Sequence, residues 1–381
     1  MTDPRVPHRV GISRRELLRR SAVAGLGLTS AGLLAACGDS GGSAAGGSTS
    51  QAASSTAPQE LSGSIVFLNY PAWIGPKEIA DFTGKNPGVQ IKQNTSALTE
   101  SVSGTAVKIA QNPKAFDMLL ADASIVGQLQ AGGFVAQPDF EQIPNIKGVA
   151  DQFRKAYPMG IPTDYGKVGF GYRTDIVRER PKSWADFWDL APRYSKKIVV
   201  YSLARDVLGA ALRYLGFSVN TKDHGELDKA RDAVIAIKPH IKAFKPVDVA
   251  KELVTGGAAL ALAIDYDVAL AQTQNKNIEW VSPTEGMPSY LEGWIGVKQS
   301  DHLPIVTAFS NFHLEPRNYA SFVNATGTAY TMPGARKLYN STIAGNPILG
   351  TADLDKVEFE QYVGPDTTKY TAQLWNQVES A

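Results

Sequence analysis

Cysteine is almost absent from this chain: Cys37 is the only one in 381 residues. That excludes an internal disulfide framework and any zinc site of the Cys-x-x-Cys type. A surplus of charge is also missing. The formal net charge is +1, which gives no electrostatic reason to expect nucleic acid as a partner. There are five histidines, and none forms a His-Glu-x-x-His pair. Neither a Gly-x-Ser-x-Gly elbow nor a phosphate-cradling P-loop occurs, so the usual hydrolase and nucleotide signatures are missing. His224, His240, His302 and His313 sit in polar, surface-like contexts, and no cofactor or metal is expected. The apolar run Ser21 to Ala36 is too short, and too interrupted by Gly25, Gly27 and Gly32, for a comfortable membrane span.

That run belongs to an ordered pattern. Ser13-Arg14-Arg15-Glu16-Leu17-Leu18-Arg19-Arg20 precedes it, and Leu34-Ala35-Ala36-Cys37-Gly38 ends it. The paired arginines resemble a twin-arginine export signal, and Leu-Ala-Ala-Cys resembles the lipobox of bacterial lipoproteins. A signal peptidase needs small residues before its cut, and the next thiol takes the lipid. Singly, these features are ordinary: basic residues, a buried thiol, a buried helix. Their order is what is specific. Residues 1–36 read as a signal peptide. Residues 37–60, rich in Gly, Ser, Ala, Thr and Gln, read as a lipid-anchored flexible linker. The expected location is the outer face of a bacterial cytoplasmic membrane, with Cys37 as the attachment point. Residues 1–36 carry six arginines and two acids; without them the net charge falls to about −3. The rest is long enough for one large or two medium domains.

The body alternates strand and helix. Ser64 to Tyr70, Val89 to Lys92 and Asp117 to Ala121 read as strands. Lys77 to Thr83, Thr99 to Gln111 and Ser124 to Ala131 read as helices between and after them. The alternation returns later, with strands at Ile198 to Tyr201 and Leu260 to Ile264. Helices are expected at Ala204 to Leu215 and Glu226 to Ile237. Ser183-Trp184-Ala185-Asp186 is a capping signature that opens a short helix. Such an order predicts an α/β fold of mostly parallel sheet flanked by helices.

Several of these stretches resemble one family. Phe67-Leu68-Asn69-Tyr70-Pro71-Ala72-Trp73 is similar to the first strand and loop of the spermidine/putrescine-binding proteins of ABC importers. Phe116-Asp117-Met118-Leu119-Leu120 and Ser183-Trp184-Ala185-Asp186-Phe187-Trp188 are similar to later segments. So are Ala204 to Phe217, Phe312-His313-Leu314-Glu315-Pro316 and Ala335-Arg336-Lys337-Leu338. The resemblance spans roughly residues 62–376. It implies a two-lobed periplasmic-binding-protein fold of type II, with a ligand cleft between lobes. Lobe 1 would be 61–163 plus 296–335, and lobe 2 would be 164–295 plus 336–381. It further implies a monomeric, non-enzymatic, substrate-binding lipoprotein that hands its ligand to the transmembrane subunits of an ABC permease.

Residues at strand ends are the candidate ligand contacts, because ligands of such sheets sit at the carboxyl ends of strands. Tyr70 and Trp73 follow the first strand, Asp122 follows the third, and Asp265, Tyr266 and Asp267 follow Ile264. The resemblance places the family's site residues on Tyr70, Trp73, Asp206, Asp265-Tyr266-Asp267 and Tyr290-Leu291-Glu292. One family carboxylate falls on Leu203 and is lost; Asp265 would restore it from another wall. A C-terminal glutamine falls near Glu360 or Gln361. A polyamine needs carboxylates for its ammonium groups and aromatic faces for its stem, and cation–π contact adds about 0.5–2 kcal/mol per ring. Structural explanations stand beside each choice. Asp206 could serve a helix dipole, Asp265 and Asp267 could cap a helix, and Asp122 could be a helix-entry residue. Tyr70 and Trp73 could be core aromatics, and Tyr290 and Glu292 an exposed strand. Trp184 and Trp188 read as core. The rival functions are the same fold with another solute (a sugar, an amino-acid conjugate, an aminophosphonate or ferric iron) and, more remotely, a secreted carboxylate-dependent hydrolase.

Overall fold

The computed structural model describes residues 60–95, 102–246, 248–351 and 353–381; the signal, Cys37 and most of the linker lie outside them. Its strands are β1 (Gly63–Leu68), β2 (Val89–Asn94), β3 (Met118–Asp122), β4 (Ile161–Arg173), β5 (Ile198–Tyr201), β6 (Ile241–Lys245), β7 (Leu260–Ile264), β8 (Ile278–Val281), β9 (Met287–Gly296), β10 (Ala329–Tyr330) and β11 (Val357–Phe359). Their order along the sheet is β2-β1-β3-β9-β4-β7-β5-β6, with β8, β10 and β11 paired off this path. Every residue of β7, and all of β3 except Asp122, is buried, as expected of strands covered on both faces.

The sheet is parallel at its two ends and antiparallel in the middle. β1 pairs in parallel with β2 and β3, and β5 does so with β6 and β7. β9 runs antiparallel to both β3 and β4, and β4 antiparallel to β7. The sequence reading anticipates β1, β2, β3, β5 and β7 but neither β6 nor these long central strands. β4 hides its character: Thr163, Asp164 and Lys167 and the glycines 166, 169 and 171 break up its apolar residues.

The apolar residues of 61–381 form two cores. Phe67, Leu119, Phe153, Tyr165, Trp294 and Phe309 belong to the first. Phe170, Trp184, Phe187, Val199, Leu208 and Leu262 belong to the second. β4 passes from one to the other between Tyr165 and Val168, and Tyr266 and Trp280 pack against both. The helix Trp184–Leu190 begins with a full capping box. Asp186 N–H donates to Ser183 Oγ at 2.9 Å, and Ser183 N–H donates to Asp186 Oδ2 at 3.0 Å. Trp184 and Trp188 are core residues.

Candidate functional site

Three neighbouring central strands carry acids at one level. Asp122 of β3 pairs opposite Glu292 of β9, and Glu292 pairs opposite Asp164 of β4. Residues directly opposite in antiparallel strands share a face, with Cβ atoms about 4.5–5.5 Å apart, and like charges so placed repel. The row therefore favours a positive charge beside it. In the next row Tyr290 lies opposite Gly166. A Cβ on Gly166 would come within 2.4 Å of the Tyr290 ring, so the glycine is what lets this phenol cross β4. Desolvation raises the Tyr290 hydroxyl well above its usual range, and the negative fields of Tyr266, Glu292, Asp164 and Asp265 add to it. Aromatic and acidic groups thus converge on one place.

The turn after β1 brings Trp73 to this row. Asn69 organises it: its Nδ2–H donates to the Trp73 carbonyl at 2.9 Å, and its Oδ1 accepts from Tyr70 N–H at 2.9 Å. Tyr70 and Trp73 are half-buried. The Trp73 indole N–H donates to Asp164 Oδ1 at 3.4 Å. Asp164 is fully buried and also accepts from Thr163 Oγ at 2.8 Å and Thr328 Oγ at 3.4 Å. Burial pushes its pKa up to about 6, against the lowering effect of those hydrogen bonds and of His313 nearby.

A second acidic group gathers around Arg205. Asp122 caps the helix Ala123–Ala131, accepting from Ser124 N–H at 2.7 Å and Ile125 N–H at 3.1 Å. The helix-entry explanation for Asp122 therefore holds, and its charge also faces Arg205 at 4.0 Å. The Arg205 guanidinium pairs with Glu360 at 3.1 Å and donates to Ser124 Oγ. Asp206, in the first turn of the helix Ala204–Tyr214, is buried, and its Oδ2 has no hydrogen-bond partner among the described residues. Burial raises its pKa well above the carboxylate range; Glu360 and Asp122 raise it further, while Arg205 opposes them. Glu360 is raised for the same first reason.

Asp265 is placed differently from its neighbours in sequence. It is the first residue of the helix Asp265–Gln274, and its Oδ1 accepts from Tyr266 N–H at 2.8 Å. Its Oδ2 lies 3.9 Å from Lys167 Nζ, both groups being fully buried. Lys167 also donates to the Ile348 and Gly350 carbonyls at 2.6 and 3.4 Å. Side chains alternate along β4, so Lys167 stands on the face opposite Asp164 and Gly166. Burial lifts Asp265 to about 7, with Lys167 pulling the other way. Asp267 sits in the first turn of the same helix, where its charge raises Asp265 slightly. Leu203 is the residue before the helix Ala204–Tyr214 and offers no cap.

Sequence reasoning missed Asp164, Lys167 and Arg205. The first two sit in β4, whose glycine spacing conceals the strand. A carboxylate and an ammonium within a glycine- and aromatic-rich stretch were the available signal. One reading is corrected: His313 is not surface-like. It is fully buried, its Nδ1 lies 2.7 Å from Glu78 Oε1, and its ring packs 4.0 Å from that of Trp294.

Known proteins share this architecture. The family model described as bacterial extracellular solute-binding protein matches residues 77–350. A spermidine/putrescine-binding periplasmic protein of Salmonella typhimurium is 23% identical over 314 residues, covering 80% of this chain and 89% of the relative. The putrescine-binding periplasmic protein SpuD of Pseudomonas aeruginosa is 22% identical over 338 residues, covering 82% and 90%. The solved structure of the spermidine/putrescine ABC transporter substrate-binding protein PotD from Streptococcus pneumoniae superimposes with a TM-score of 0.72 at 23% identity, covering 84% of this chain and 99% of that one. The fold is therefore that of the periplasmic binding proteins. The match covers well more than half of the chain, and the chain belongs to the bacterial extracellular solute-binding proteins.

Proposed function

We propose that this protein is the substrate-binding component of an ABC importer and that its ligand is a cationic polyamine of the putrescine or spermidine kind. The observation that carries the reading is the carboxylate row Asp122–Glu292–Asp164, bordered by Trp73, Tyr290 and Tyr266. An ammonium that leaves water needs charged acceptors, and its alkyl stem needs apolar faces. The relatives named for spermidine and putrescine support the same reading. The ligand would sit between two lobes, with Tyr70, Trp73 and Asp122 on one side, Asp206, Tyr266 and Asp267 on the other, and Tyr290 and Glu292 supplied by β9. Asp265 would act from behind, through Lys167. The two apolar cores support two lobes. They favour moving the last boundary from 335 to beyond Leu349, because Tyr339, Ile343, Ile348 and Leu349 pack in the first core. Export by the paired arginines and anchoring by lipid at Cys37 complete the reading; a permease would then receive the closed form.

Calorimetric titration of residues 38–381 with putrescine, cadaverine, spermidine, spermine and a set of sugars tests it. Micromolar or tighter binding of an amine is expected, weakened by added salt and by Glu292→Gln. Binding of a sugar with no heat from any amine would overturn the substrate and leave the fold standing.

A further inference from the structure

The strongest new feature is the buried carboxylate behind Trp73. Asp164 is 0% exposed, and the donors bonded to it, Trp73 Nε1, Thr163 Oγ and Thr328 Oγ, are all neutral. Among the described residues its negative charge is therefore held in the fold without a hydrogen-bonded cation. One of those donors is the edge of an indole that is itself half-buried. An N–H donated to a carboxylate shifts electron density into the ring, and a ring richer in electrons attracts a cation more strongly. The turn carrying Trp73 is also held under strain. Ala72, the residue before it, sits at φ +59°, a left-handed conformation that costs a non-glycine residue energy and persists only where its surroundings enforce it.

We propose that Asp164 is a positioning and specificity-determining residue: through its hydrogen bond to the Trp73 indole it orients the ring and backs it with negative charge, so that the ring selects a cationic ligand over a neutral one. This rests on the amine reading above and gives Asp164, the fully buried end of the carboxylate row, a role exerted through the Trp73 indole rather than by ligand contact. The titratable groups facing Asp164 are Glu292 across the strand pair, His313, which Glu78 holds, and the hydroxyls of Tyr157, Tyr290 and Tyr319. The proposal has a pH consequence. Asp164 loses its charge as pH falls through about 6, whereas an alkylammonium keeps its own. The contribution of Asp164 is thus full at pH 7.5 and lost at pH 5.

The test is a double-mutant cycle on residues 38–381, with putrescine and spermidine as probes at pH 5 and 7.5. Asp164→Asn retains an acceptor for the indole and removes the charge; Trp73→Phe removes the N–H. At pH 7.5 each single change should weaken the amine by about 3- to 30-fold, and the double variant should be little weaker than either single one. Wild type should bind more tightly at pH 7.5 than at pH 5, and Asp164→Asn should flatten that difference. Independent, additive losses, or an Asp164→Asn protein with wild-type affinity and pH profile, would overturn the proposal. If Asp164→Asn does not fold, Trp73→Phe decides: its pH profile should be flatter than that of wild type, and an unchanged profile overturns the idea. Wild type that binds no amine at all would instead sink the amine reading itself.

Discussion

Lys167 and Asp265 are both wholly buried and 3.9 Å apart. Removing one partner of such a pair leaves an uncompensated charge in the interior. Lys167→Met should therefore lower the unfolding free energy by about 3–5 kcal/mol at pH 8, read by urea denaturation. Lys167→Met with Asp265→Asn should recover most of that loss, because two neutral groups replace the pair. The sign with pH follows from the raised pKa. With a folded value of about 7, Asp265 holds its proton more tightly in the folded state than in the unfolded one. Its contribution to stability is therefore greatest at low pH and falls as pH rises from about 4 to 7. Without Lys167 the acid is raised further, so the cost of Lys167→Met should be smaller at pH 5.5 than at pH 8. Equal costs at the two pH values would show that Lys167 stabilises through the Ile348 and Gly350 carbonyls alone.

At the scale of the element, the same residue types serve structure or site depending on what they cap or cross. The Ser183/Asp186 box is structural: Ser183→Ala should cost about 1 kcal/mol of stability and leave amine affinity unchanged, as thermal melts and titration would report. Gly166 makes room for the Tyr290 ring of the proposed site. Alanine there must push the Tyr290 ring away from contact at 2.4 Å, so Gly166→Ala should destabilise by about 1–3 kcal/mol and weaken amine binding as well. β1, β3, β5 and β7 were legible in the sequence because their apolar runs are short and bounded by turn residues, and β2 because it alternates; β6, with its two lysines, was not read. The helix Ala204–Tyr214 lies within a residue of its expected span, and the capping box is as read. β4 and β9 were not legible, because glycine and polar residues interrupt β4 and proline, serine and glycine interrupt β9. Strands in that position are defined by their neighbours rather than by their own pattern.

For the whole molecule, Arg205 joins the two apolar cores electrostatically. It sits on the helix Ala204–Tyr214 of the second core and contacts Ser124 and Asp122 at the start of a helix packed in the first. If ligand binding draws the lobes together, the contacts made only in the closed state set how far the population shifts. Arg205→Ala should then weaken amine binding several-fold and also lower the thermal melt of the free protein, because the buried Glu360 and Asp206 lose their counter-charge. Small-angle scattering should show a smaller contraction on adding spermidine than wild type shows. Full contraction with unchanged affinity would reduce Arg205 to local screening of Asp206 and Glu360.

By itself the sequence determined the α/β alternation, the aromatic and acidic residues placed just after strand ends, and the family resemblance, because each is written in adjacent residues and short-range periodicity. Only the tertiary structure decided which acids act together. Asp122, Glu292 and Asp164 meet through strand register between segments far apart in the chain, and a one-residue slip would turn each to the other face. Tertiary packing likewise set Asp265 against Lys167, which stands on the face of β4 opposite Asp164. Burial, a property of the assembled cores, set the protonation of Asp164 and Asp265 near neutrality, since the cost of a charge depends on the water it loses.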